Sequence, residues 1–268
     1  MIDRKNVVAK LGISAVSVLM AGHLEAQTNV NMTLESTIAD SGFSATLQGY
    51  GSIINTSDLI GIYAFQINSV TPADAMIGHQ GSTLYGVCLS PLGNLSSGYA
   101  GNYTLQTFAA AGSGINPSAW VTPTGIQNAN YLFSTFAPAL EGGKTLNGFV
   151  GSVNDQAATL ALAMYTALYN STSYGHASDG TANSGFDVAL SGNLATDYND
   201  FLSDIATGYN GSSQPAGAVL TPNAGQSGAQ QTIIFTPVPE ASTIIAGALM
   251  VLPFGVSTFR IMRKRRTA

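Results

Sequence analysis

The chain has 268 residues, enough for one domain or two small ones, and nearly all of its nine Lys and Arg lie at the termini: Arg4, Lys5 and Lys10 at the start, Arg260, Arg263, Lys264, Arg265 and Arg266 at the end, with Lys144 alone between. From Gln27 to Thr236 eleven acids face that single Lys, a formal charge of minus ten. Such a surface excludes nucleic acid as a partner, because phosphate binding needs clustered Lys and Arg. The interior is rich in Gly, Ala, Ser, Thr and Asn with aromatics throughout, a mixture for folded strands and turns rather than a charged disordered linker. Cys88 is the one cysteine, so no intramolecular disulfide can staple the fold and an apolar core must hold it.

Residues 1–26 have the layout of a signal peptide: basic Arg4, Lys5 and Lys10, an apolar run from Leu11 to Gly22, and the small residue Ala26 where signal peptidase would cut. The run is about a dozen residues, too short for a bilayer-spanning helix of roughly twenty.

Residues 27–236 read as one exported α+β domain, antiparallel and β-rich at first and then helical. Asn31 to Ile38, Phe43 to Ile54, Leu59 to Val70 and Leu84 to Leu89 are short β-branched and aromatic runs between Gly, Asn, Ser and Asp, the signature of antiparallel strands. After Pro91 the pattern loosens through Gly112, Gly114, Pro117 and Pro123. Ile126 to Phe136 is an expected helix ended by Pro138. A second starts at Ser152, where Ser152 and Asp155 have capping-box spacing before Gln156 to Tyr169. In a third, Leu194 to Tyr209, the apolar residues Leu194, Tyr198, Phe201, Ile205 and Tyr209 recur at three and four, leaving Asp197, Asp200 and Asp204 on the expected wet face. Thr232 to Phe235 reads as a closing strand.

Residues 237–268 form a tripartite tail. Val238, Pro239, Glu240, Ala241 and Ser242 precede an uncharged stretch to Phe259, and Arg260, Arg263, Lys264, Arg265 and Arg266 follow. From Ala241 to Phe259 is nineteen residues, covering roughly 28 Å as a helix, so a single transmembrane helix is expected over 241–262. The basic stop behind it favours cytoplasmic retention of the C-terminus, with the N-terminal domain outside. This order of motif, span and basic end resembles the PEP-CTERM sorting signal. Ala241 departs from that family's second Pro. The resemblance implies an exosortase as processing partner beside signal peptidase, an inner-membrane single-pass stage, and release to the cell surface or extracellular matrix.

Within the exported part, Tyr85-Gly86-Val87-Cys88-Leu89, Asn128-Ala129-Asn130-Tyr131-Leu132 and Leu160-Ala161-Leu162-Ala163-Met164-Tyr165 with Ala167-Leu168-Tyr169-Asn170 resemble, over roughly Tyr85 to Phe235, a bacterial thioester-type surface domain. In active members the Cys sulfur is joined to the carbonyl carbon of a helix Gln. Here the matching position is Ala161, and Gln156, five residues earlier, points roughly 140° away on a helix. The resemblance implies a degenerate domain with a free Cys88.

His79 and His176 lack the local spacing of a zinc site, no Gly-x-Ser-x-Gly elbow is present, and the Asn-x-Ser or Asn-x-Thr triplets at Asn55, Asn94, Asn102, Asn170 and Asn210 are read as compositional coincidence. Trp120 is the first aromatic to test for sugar stacking. No catalytic residue, metal or cofactor is expected. The leading reading is a non-enzymatic surface or matrix protein acting by adhesion or scaffolding, with exopolysaccharide or other surface ligands as partners. The alternatives are a covalent thioester adhesin using Cys88 and a secreted polysaccharide hydrolase with paired carboxylates.

Overall fold

Strand β1 (Asn29–Asp40) carries the period-two alternation of a sheet buried on one face: Val30, Met32 and Leu34 are buried while Asn29, Asn31 and Thr33 face outward. A computed structural model describes residues 28–42, 44–47, 51–55, 57–74, 76–90, 100–107, 121–169, 186–208, 218–223 and 231–235. The other strands in chain order are β2 (Ser44–Leu47), β3 (Gly51–Ile54), β4 (Ile60–Thr71), β5 (Thr83–Cys88), β6 (Ala100–Thr107), β7 (Phe186–Ala189), β8 (Ala218–Pro222) and β9 (Ile233–Phe235). Helices α1 (Pro123–Glu141), α2 (Val153–Tyr169) and α3 (Gly192–Gly208) fall between β6 and β8. The architecture is thus α+β, antiparallel and β-rich, as expected.

Six strands close into an antiparallel barrel in the order β1-β4-β5-β9-β8-β6. Closure pairs β1 with both β4 and, over Asn29 to Thr33, β6. Inside lies one apolar cluster, including Phe65, Ile67, Leu84, Tyr103, Leu220 and Phe235. A second, larger cluster lies outside the barrel, where Ile62, Val87 and Ile234 meet the helices. The separate sheet β3-β2-β7 adds Leu47, Ile54, Phe186 and Val188 to it.

Helix α2 runs through the middle of that second cluster, buried at every residue from Gln156 to Tyr169. A helix apolar all round belongs inside a core, and full burial of each Leu or Met contributes about 1.5–3 kcal/mol. The close crossing of α1 depends on Gly125: a Cβ there would lie 2.6 Å from the Ala167 carbonyl oxygen and 2.8 Å from that of Leu168.

Several sequence expectations are corrected. The run Phe43 to Ile54 is two paired strands, β2 and β3, not one. Strand β6 emerges from the segment read as loose, because Gly101 and Asn102 look like turn punctuation although Tyr103 and Leu105 alternate inward, and β7 and β8 form where the sequence suggested no element. Pro138 does not end α1, which runs on to Glu141. The lost backbone hydrogen bond falls in the last turn, where burial of Ala137 and Leu140 on either side offsets it. The N-terminus of α1 follows local rules: Pro123 starts it and the Thr122 hydroxyl accepts from the Gly125 amide at 3.0 Å.

No helix among the described residues is long and apolar enough to cross a membrane. The expected signal peptide, and the expected sorting motif Val238 to Ser242, span at 241–262 and basic stop Arg260 to Arg266, lie outside the described residues.

Candidate functional site

Cys88 ends β5, where alternation sends Leu84 and Cys88 into the barrel and Val87 and Leu89 out against the helices. Across the sheet it pairs with Ile233 of β9. The thiol is free and fully buried, and burial alone pushes its pKa well above the ordinary value. A protonated, enclosed thiol is a poor nucleophile.

Of the three stretches singled out in the sequence, the α2 stretch reaches the end of β5 and the α1 stretch packs on α2. Tyr169 of α2 donates to the Leu89 carbonyl, one residue beyond Cys88, at 3.3 Å, and α1 packs on α2 through Gly125. Tyr63 of β4 and Tyr165 of α2 lie close enough to Cys88 to feel its charge: both phenols are held well above their usual pKa, first by burial and then by the sulfur. Tyr165 lies one turn beyond Ala161 on the same helix face. Helix α2 packs on the other side of β5 from Cys88, and at Ala161 it carries a methyl group, not an acyl donor.

Gln156 has another task. Its side-chain oxygen accepts from the Leu146 amide at 2.7 Å and its NH2 donates to the Gly151 carbonyl at 2.8 Å. The side chain is buried and spends both ends of its amide on the loop before α2, consistent with the 140° helical offset from Ala161. The capping box closes as expected, with the Ser152 amide donating to Asp155 at 2.8 Å and the Asp155 amide to the Ser152 hydroxyl at 3.2 Å.

Of the acids of α3, Asp200 is exposed as expected, whereas Asp197 and Asp204 depart from the expected wet face. Asp197 is fully buried and accepts from the Val150 amide at 2.8 Å and the Gly151 amide at 2.9 Å. Asp204 accepts from the Tyr131 hydroxyl at 2.5 Å, and burial with that bond pushes the Tyr131 pKa up to about 12. The signal for Asp197 was available, since it sits one turn before Phe201 and so on the packed stripe rather than opposite it.

Burial raises Asp200, helped by the Asp197 charge. Burial also pushes Asp155 upward, but hydrogen bonds from the Ser152 amide and hydroxyl and from the Asp40 carboxyl outweigh it and leave Asp155 below its ordinary value.

His79 lies in a turn, its Nδ1 2.9 Å from the Gln80 carbonyl and 3.2 Å from the Ser82 hydroxyl. No group of three or more His, Cys, Asp and Glu suited to a metal occurs among the described residues. His176 and Trp120 lie outside them.

The buried groups make alkaline stability predictable. An unfolded thiol titrates near pH 8.5 and an unfolded phenol near 10, whereas Cys88, Tyr63 and Tyr165 titrate higher when folded. Above pH about 8.5 the unfolded chain binds fewer protons than the native one, so stability falls as pH rises, more steeply past about 10. The unfolding midpoint should be flat from pH 6 to 8 and drop by pH 10.5. A thiol reagent at pH 8 should label Cys88 only after denaturant is added, and equal labelling of the native protein would contradict the geometry.

No family model and no curated protein matches the chain. Two solved structures do, each at 11% identity and a TM-score of 0.40. They are the N-terminal thioester domain of the fibronectin-binding protein SfbI from Streptococcus pyogenes, covering 75% of this chain and 95% of that one, and the N-terminal domain of the Streptococcus pyogenes pilus tip adhesin Cpa, covering 76% and 98%.

Proposed function

We propose that the chain is an exported surface or matrix protein, sorted through its C-terminal tail by an exosortase, that acts by non-covalent adhesion or scaffolding and not as an enzyme. The observation that carries the non-covalent part is the burial of Cys88 on the barrel side of β5, with Ala161 at the matching position of α2 on the other side and Gln156 committed to the 146–151 loop. A thioester needs a carboxamide within bonding distance of the sulfur, and neither Ala161 nor Gln156 supplies one. The export part is carried by charge placement, with cations at both termini and a single Lys in the 210 residues between Gln27 and Thr236.

One mass measurement tests both parts. The protein recovered from the cell surface should have its C-terminus near Glu240 and the mass of an unmodified chain, and methylamine should add nothing. A mass lower by one ammonia that rises by one methylamine on treatment would establish a covalent adhesin instead. A full-length chain persisting in the membrane would replace sorting with a permanent anchor.

A further inference from the structure

The outer face of the barrel around the start of β1 is built from side-chain amides that bond to one another. Asn68 of β4 donates to Asn31 of β1 at 2.8 Å and to the Thr33 hydroxyl at 2.8 Å. Asn31 in turn donates to Asn102 of β6 at 2.7 Å. On the far side Thr104 of β6 donates to Asn223, which follows β8, at 2.5 Å. Asn223 donates to Asn29 of β1 at 3.5 Å. The array crosses the four neighbouring strands β4-β1-β6-β8, roughly 15 Å at sheet spacing.

Asn68 reaches this face through a β-bulge. Asn31 pairs with Ser69 and Met32 with Ile67, so Asn68 is the extra residue and its side chain is re-aimed between Asn31 and Thr33. Asn29 and Asn102 are exposed, and Asn31, Thr33, Asn68 and Asn223 half-buried. The lateral bonds hold the amides in place before any ligand arrives, which lowers the ordering cost of binding.

We infer that this amide array is a docking face for a neutral polysaccharide. The inference rests on the chemistry of the face and goes beyond the proposed surface role by assigning a site and a ligand class. Each Asn offers donors and an acceptor without charge, which matches a hydroxyl that is both donor and acceptor and carries no charge to neutralise. The alternatives fit poorly. A partner strand needs an open sheet edge, and these strands lie within a closed barrel. A membrane or apolar protein would have to strip water from the exposed Asn29 and Asn102 side chains without offering a polar group in its place. Polyanions meet an acidic domain in which the described residues hold one cation, Lys144, and Asp74, bonded to Thr28, with Glu35 further along β1 flank the array.

The full-length chain in detergent can be run in affinity gels containing dextran, pullulan or a mixed-linkage β-glucan, with alginate as the anionic control. At least one neutral polymer should retard it, alginate should not, and an Asn31→Ala/Asn102→Ala double variant should weaken retardation at least tenfold at an unchanged unfolding midpoint. If that double variant does not fold, Asn102→Lys at the exposed position supplies the same readout. No retardation by any neutral polymer, retardation untouched by these variants, or a change of oligomeric state in their place would overturn the inference. Tail processing at Glu240 would still stand on its own in that case, so the two proposals fail separately.

Discussion

Asp197→Ala is expected to cost about 3–5 kcal/mol of stability, lowering the unfolding midpoint by roughly 10 °C for a domain of this size. The carboxylate is fully buried on α3 and accepts the Val150 and Gly151 amides, the last two backbone donors before the Ser152 cap of α2. Hydrogen bonds to a charged group contribute about 1.5–3 kcal/mol each, and removing the acceptor leaves two amides facing a void. Asp197→Asn should fall between, since its one oxygen can serve one amide while its NH2 confronts the other. Asp204→Ala, which loses only the part-buried bond from Tyr131, should cost about 1 kcal/mol. Denaturant unfolding of the three variants checks the order, and an Asp197→Ala cost below about 1 kcal/mol would remove Asp197 from the role assigned to it.

The second large effect is expected at the barrel seam. A Cβ on Gly86 would lie 2.5 Å from the Ile234 carbonyl oxygen and 2.5 Å from the Ile233 side chain. The oxygen belongs to the paired backbone of β9 and cannot rotate away. The β5–β9 ladder has three residue pairs, Gly86–Phe235, Val87–Ile234 and Cys88–Ile233, so displacing one disturbs a large part of it. Gly86→Ala should cost about 3 kcal/mol, at the upper end for an overpacked core, and Gly86→Val more. The control is Gly142→Ala, whose Cβ would meet nothing closer than 3.4 Å and should change stability by about 0.5 kcal/mol or less. Cys88 supplies an independent readout: if the seam opens in Gly86→Ala, the native thiol becomes reactive to a reagent that wild type excludes. A stable Gly86→Ala variant with a protected thiol would show that β9 is not held where the geometry puts it.

These two sites share a physical cause. At Asp197 and Gly86 a residue of ordinary type is committed by something distant in sequence, a loop some 46 residues away in one case and the last strand in the other. Gly151 belongs with them, since a Cβ there would collide with the Asp197 carboxylate and lie 2.7 Å from the Asp155 Cβ. The 146–151 loop is thereby fastened from two helices, by Gln156 from α2 and Asp197 from α3.

What the sequence determined by itself was local. Alternation in β1 and β4, the Ser152–Asp155 capping box, the all-apolar α2 and the short closing strand were legible because each depends on neighbours within one turn or one pleat. Burial of Cys88 at the end of an apolar run was legible for the same reason. Tertiary structure alone decided the closure of six strands into a barrel, the recruitment of β6 and β8, the continuation of α1 through Pro138, the burial of Asp197 and the convergence of Asn68, Asn31 and Asn102 into one array. A period tells which side of an element faces inward. It does not tell which other element waits there, and that choice is settled by pairings between residues tens of positions apart, whose closure entropy leaves no mark on the local pattern.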